Sequence, residues 1–190
     1  THYLPNSVRM AVNEKINVSN YQATPKITFS HEDEIQGTAG AIGRVRELLA
    51  NESFVVCNGK IYFEEDLTRA IRFHTETQAL ITLILVKFSK GDEFNPVLVD
   101  KGNRVVGFGT TGPQAGPYEN YIFTGVQIVD PRALDFFPDK PSNTVNDVYL
   151  HLIEKGLPLR GFVSDAYWCE CSTPRRYLEK SMEILERRNG

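Results

Sequence analysis

The chain has 190 residues, 41% hydrophobic and 24% charged, with a formal net charge of -3. That is enough for one domain with its own core. It has neither a basic surplus nor a basic run, which argues against nucleic acid and an anionic membrane as partners. The longest apolar stretch, Ala79 to Val86, is interrupted by Thr82 and too short to span a bilayer. The cysteines Cys57, Cys169 and Cys171 are odd in number, against a disulfide framework, so a reduced, cytoplasmic protein is expected. Cys169 and Cys171 share one face of a strand and read as small core residues.

In chain order, Thr1 to Pro5 reads as a strand end running into a helix. Lys26 to Ser30 reads as a strand. Ala39 to Ala50 reads as one helix with Ile42, Val45 and Leu49 on its apolar stripe. Phe54 to Cys57 is wholly apolar, as in a parallel strand buried on both faces. Asp66 caps a helix to Thr77 whose inner side carries Leu67, Ala70, Ile71 and His74, the histidine being a packed one. Leu80 to Lys87 is a further buried strand. This alternation predicts a Rossmann-like α/β fold: a mixed, mainly parallel sheet flanked by helices.

The pattern then changes. Val97–Val99 and Arg104–Phe108 flank Asp100-Lys101-Gly102-Asn103, a β-hairpin insertion with Gly102 able to take positive φ. Thr110 to Tyr118 is a Gly- and Pro-rich loop, and Tyr121 to Val129 a strand. Asp130-Pro131 starts a helix. Val145 to Glu154 is helical and ends at Gly156. Leu159 to Val163 is a strand. Pro174 starts a last helix carrying Leu178, Met182 and Leu185. One domain over residues 1–190 is expected, incomplete at its N-terminal side because the sheet begins in mid-pattern.

Four stretches carry chemistry. Gly37-Thr38-Ala39-Gly40-Ala41 opens a helix, where glycines admit close backbone approach and the first N–H groups are unsatisfied. Taken alone, a tight strand-to-helix turn explains it better. Asn58-Gly59-Lys60 ends a buried strand, where ligands of open α/β sheets bind. Thr124-Gly125 interrupts a strand. Trp168-Cys169-Glu170 precedes Ser172-Thr173-Pro174 and a helix. His31 to Glu34 reads as a solvated acidic loop, and Trp168 as a core anchor.

In this order and spacing the four stretches resemble the sugar-1-phosphate nucleotidyltransferases, whose pattern is a G-T-A-G-A turn, a strand ending in N-G-D, a strand with T-G or A-G, and W-x-D before a helix. The mannose-1-phosphate guanylyltransferase branch looks most similar. The resemblance covers essentially the whole chain. It implies transfer of a nucleotidyl group from an NTP to a sugar-1-phosphate, and leaves room for a homo-oligomer. It places Gly37, Thr38, Ala39 and Gly40 along base and ribose. Asn58 and Gly59 would lie beside the nucleotide sugar and α-phosphate, and Thr124 and Gly125 would face the sugar phosphate. Glu170 would be a Mg²⁺ ligand.

The departures from that pattern concern charge. Lys60 replaces the Asp of N-G-D, and an ammonium cannot ligate Mg²⁺, which needs oxygen donors. Lys60 is then either a solvated lysine or a catalytic contact to phosphate. Glu170 replaces an Asp. The family's glycine-rich phosphate loop is absent, and Gly109 to Pro113 stands where E-K-P is expected. The chain by itself is accordingly expected to turn over poorly. A weakly active or inactive homologue that binds sugar nucleotides as a regulatory or sensing subunit is the second reading. An NDP-sugar-dependent glycosyltransferase, which would want an Asp-x-Asp motif, is the third.

Overall fold

The structure is a computed structural model. It describes residues 1–18, 25–88, 93–113 and 116–189. The chain opens with α1 (Pro5–Val18), α2 (Gly37–Arg44) and the short α3 (Arg46–Leu49). It continues through β1 (Phe54–Cys57), β2 (Ile61–Phe63), α4 (Leu67–Glu76) and β3 (Ile81–Lys87). The hairpin strands β4 (Val97–Asp100) and β5 (Val105–Phe108) and the long β6 (Tyr118–Val129) follow. A 3₁₀ turn (Pro131–Phe136), a π-helical turn (Thr144–Tyr149) running into α5 (Leu150–Glu154), β7 (Leu159–Val163), β8 (Trp168–Glu170) and α6 (Pro174–Asn189) complete it.

The sheet corrects the parallel reading. Its order is β5-β4-β6-β3-β7, with β1 also on β6, and among these strands only β3 and β7 pair in parallel. The fold is α/β, but its sheet is mixed and mostly antiparallel. The physical reason lies in β1 and β6. A four-residue apolar run cannot by itself distinguish a parallel core strand from an antiparallel one. β1 alternates between half-buried and exposed residues, with Val55 41% exposed, and pairs antiparallel with Val126–Val129. Among the described residues its other edge has no strand partner.

Strand β3 is the centre of the core. Ile81, Leu83 and Leu85 face a layer built from Ile42 of α2, Leu134 and Phe137 around the 3₁₀ turn, and Tyr149 and Leu152. Ile84 faces the opposite layer with Ala70 of α4, Val126 and Ile128. Two polar contacts lie in this interior: Tyr149 donates to Gln127 Oε1 at 2.6 Å, and His74 Nδ1 lies 2.8 Å from Thr82 Oγ1, while His74 Nε2 is buried without a hydrogen-bond partner. Asp66 caps α4 by accepting from Thr68 N at 2.9 Å, as the sequence indicates.

Local departures have local causes. The helix expected over 39–50 breaks at Val45, and Arg46 ties the break down by donating to Gly43 O and Phe137 O. Residues 25–30 form no strand; Phe29 lies under the Arg9 guanidinium instead. In the β4–β5 hairpin the left-handed residue is Asn103 (φ 59), not Gly102. Asp100 Oδ1 accepts from Gly102 N and Arg104 N, and that fixes the turn. Leu178, Met182 and Leu185 of α6 are 62%, 56% and 60% exposed. No helix among the described residues is long and apolar enough to cross a membrane.

Candidate functional site

Strand β6 changes neighbours halfway along. Tyr118–Tyr121 pairs with β4 and Val126–Val129 pairs with β1. Between them, on the β3 side, Leu83 is opposite Gln127 and Leu85 opposite Phe123, so Thr124, Gly125 and Val126 bulge against Ile84. The buried Thr124 hydroxyl holds the bulge: it donates to Ile84 O at 2.8 Å and accepts from Val126 N at 3.2 Å. Gly125 takes φ +84.

Asn58, directly after β1, docks on this bulge. Its N–H donates to Gly125 O at 2.9 Å. A Cβ on residue 125 would lie 2.5 Å from Asn58 Nδ2, so the carboxamide rests where only a glycine leaves room. Trp168 fixes the bulge from the other side, its indole Nε1 donating to Thr124 O at 2.8 Å while its ring meets Phe94 edge-on.

Lys60 and Glu170 face each other across the two-stranded sheet of β2 and β8. Cys171 N donates to Lys60 O, and Ile61 pairs with Glu170. Lys60 Nζ is 2.9 Å from Glu170 Oε1. Arg176, two residues into α6, donates through Nη1 to Glu170 Oε2 at 2.7 Å, and Ser172 Oγ donates to the same oxygen at 2.9 Å. Arg176 also pairs with Glu93. The Glu170 side chain is 13% exposed, against 57% for Lys60. Burial pushes the Glu170 carboxyl up, but the Lys60 and Ser172 hydrogen bonds and the Lys60 and Arg176 charges outweigh it, leaving the pKa below the usual carboxylate value.

This donor set does not fit Mg²⁺. A magnesium ion takes near-octahedral oxygen ligation, and both Glu170 oxygens already carry cationic partners. Among the described residues no group of three or more His, Cys, Asp or Glu side chains is placed to hold a metal ion.

A cavity of about 720 Å³ opens beside the ion cluster, lined by Lys87, Phe94, Trp168, Cys169, Glu170 and Arg176 among others. Cys169 is buried, as the sequence indicates, yet it forms part of this wall; Cys171 is half-buried.

The Gly37–Gly40 turn makes its contacts elsewhere. Ala39 N donates to Ser142 O at 3.0 Å, and Thr38 Oγ1 lies 3.1 Å from Thr144 Oγ1. A Cβ at Gly40 would come within 2.3 Å of Lys140 O. Gly37 and Thr38 are exposed, Ala39 and Gly40 buried. The structure therefore brings together Asn58, Gly59, Lys60, Thr124, Gly125 and Glu170, and sets Gly37–Gly40 against residues 140–144. Arg176 is the participant that sequence reading missed. Its signal was the Arg175-Arg176 pair just after Pro174, within one helical turn of the Glu170 segment.

The α/β fold, with a mixed sheet, a bulged T-G strand and a strand-end Asn docked on it, accords with the nucleotidyltransferase pattern of the sequence. Residues 4–187 match the Nucleotidyl transferase family, and the chain belongs to it. It is 27% identical over 162 residues to mannose-1-phosphate guanylyltransferase of Mycobacterium tuberculosis, covering 84% of this chain and 45% of that protein. It is 24% identical over 156 residues to UTP–glucose-1-phosphate uridylyltransferase of Synechocystis, covering 80% and 40%. The chain thus spans less than half the length of these relatives. Among solved structures, HddC from Yersinia pseudotuberculosis complexed with GMP-PN superposes with a TM-score of 0.76 at 18% identity, covering 96% of this chain and 76% of that one. That likeness is one of fold.

Proposed function

We propose that the protein transfers a nucleotidyl group from an NTP to a sugar-1-phosphate, giving an NDP-sugar and pyrophosphate. The observation that carries this reading is the meeting of Asn58–Lys60, Thr124–Gly125 and Glu170 where β1 ends beside the bulge of β6. In the reaction a phosphate oxygen of the sugar-1-phosphate attacks the α-phosphorus. The bond from that phosphorus to the bridging oxygen breaks, and pyrophosphate leaves with the electron pair. Such a transfer needs reactants held in line and negative charge neutralised.

The chain's residues suit those tasks. Lys60 and Arg176 supply cationic donors, and the Asn58 carboxamide is fixed on Gly125. Gly59 is exposed, with open space around its Cα for a phosphate to approach. Thr124 acts by shaping the bulge, since its hydroxyl is committed to backbone. Gly37 and Thr38 offer surface to base and ribose, while Ala39 and Gly40 set the shape of that turn. The names of the relatives point to mannose-1-phosphate and glucose-1-phosphate as acceptors to test first.

A second reading, sugar-nucleotide binding without turnover, is favoured by one observation: both oxygens of Glu170 are engaged by cations. The deciding experiment incubates the protein with each NTP and a panel of sugar-1-phosphates across a Mg²⁺ titration and detects NDP-sugar. Product formation supports transfer. Sugar-nucleotide binding without product supports the second reading.

A further inference from the structure

We propose that Lys60 is the resident cation of this site, and that the site takes the phosphates of a sugar nucleotide through Lys60 and Arg176 with no divalent ion. The proposal rests on the nucleotide reading above and goes beyond it in naming how phosphate charge is met.

Three facts carry it. First, the Glu170 carboxylate is saturated by Lys60 on Oε1 and by Arg176 and Ser172 on Oε2. A divalent ion would have to displace two full charges to reach it. Second, Lys60 is not exhausted by holding Glu170, whereas Arg176 also pairs with Glu93. An ammonium has three donor hydrogens, and the Glu170 bond uses one. The Lys60 side chain is 57% exposed, so its remaining donors lie within reach of a ligand. Third, the backbone of Lys60 is fixed, its carbonyl accepting from Cys171 N and the next residue pairing with Glu170 across β2 and β8, so the lysine side chain departs from a set position beside Glu170. Glu170 thus orients a lysine beside the Asn58 carboxamide segment, and the positive charge is built into the chain.

The test has two arms. In the first, Mn²⁺ alone is titrated into the protein and bound ion is read by electron paramagnetic resonance. The wild-type chain should show no saturable binding up to about 1 mM. Lys60→Asp, which sets a second carboxylate beside Glu170, should gain a Mn²⁺ site. Saturable binding to the wild type, or none to a folded Lys60→Asp protein, overturns the proposal.

In the second arm, GDP-mannose and UDP-glucose are titrated calorimetrically in EDTA and in excess Mg²⁺. Affinity should be the same in both for whichever binds, and Lys60→Ala should weaken it by roughly tenfold or more, the scale of a charge-assisted hydrogen bond. Binding that requires Mg²⁺ overturns the built-in cation and leaves the nucleotide reading standing. Binding of neither ligand in either buffer overturns the nucleotide reading and this proposal's ligand with it. The wild-type measurements decide the matter even where Lys60→Asp fails to fold.

Discussion

Asn58 and Gly125 interlock: the backbone N–H of the first donates to the carbonyl of the second at 2.9 Å, and the carboxamide lies over the bare Cα. Two costs fall on Gly125→Ala together. The new methyl would meet Asn58 Nδ2 at 2.5 Å, and an L-residue would be held at φ +84. Destabilisation of about 1–3 kcal/mol is expected, the range for a strained backbone position. Urea unfolding of the two proteins measures it. Asn58→Ala in the Gly125→Ala background should recover part of the loss by removing the clash.

Gly40, in the first turn of α2, and Gly59, just after β1, should behave differently. Gly40→Ala would drive a methyl to 2.3 Å from the backbone carbonyl of Lys140, which a side-chain rotation cannot relieve. It should cost about 1–3 kcal/mol by overpacking. Gly59 has nothing within 4 Å of an added Cβ and no positive φ, so Gly59→Ala should stay within about 0.5 kcal/mol of wild type. Thermal denaturation of both variants checks the contrast. A Gly59→Ala protein with unchanged melting and weakened nucleotide binding would mark residue 59 as a point of ligand approach.

Tyr149 is fully buried and donates to Gln127 Oε1 at 2.6 Å. Removing the hydroxyl in Tyr149→Phe strands a carboxamide oxygen on a residue that is 4% exposed. The expected loss is about 1–3 kcal/mol. Tyr149→Phe with Gln127→Met, which removes both partners, should lose less than the single Tyr149→Phe change.

His74 should make stability pH-dependent. Burial lowers its pKa from 6.5; the Asp130 charge acts against that shift and the Arg132 charge adds to it. The unfolded chain therefore binds a proton at a higher pH than the folded one. The folded state is favoured above the ordinary histidine value, and stability falls as pH drops through about 6.5 toward the lower folded value. Urea midpoints measured from pH 7.5 to 5.5 should decline. That slope should flatten in His74→Gln, whose amide can still reach Thr82 but does not titrate. An equal slope in both proteins would assign the dependence to other groups.

What the residues disclose beforehand follows from how local each cause is. The Asp66 cap, the β4–β5 hairpin and the Pro174 helix start depend on neighbours a few positions away, and they read directly from the chain. The direction of β1 depends on which strand fifty or more residues later reaches it, and Phe-Val-Val-Cys carries no mark of that. The bulge at Thr124-Gly125 was visible only as a glycine in a strand. Its meaning, a change of partner from β4 to β1, is a property of the assembled sheet. Within the candidate site, Lys60 and Glu170 stand out as residue types, whereas Arg176 enters through a turn that brings α6 back over β8.

The partner change along β6 separates two free energies. Strand β1 holds to the sheet by four residue pairs on one edge, with Val55 turned to solvent, while β3 is paired along both edges and covered on both faces. Peeling β1, and Asn58 with it, off Val126–Val129 leaves the β4–β6–β3–β7 ladder intact. Amide hydrogen exchange should record this as two tiers: Val56 and Asn58, whose N–H groups face β6, exchanging through a local opening, and Leu83 and Leu85 only when the whole domain unfolds. A ligand that bridges Asn58 to the Lys60–Glu170 pair would then slow exchange most in the tier that is otherwise quickest to open.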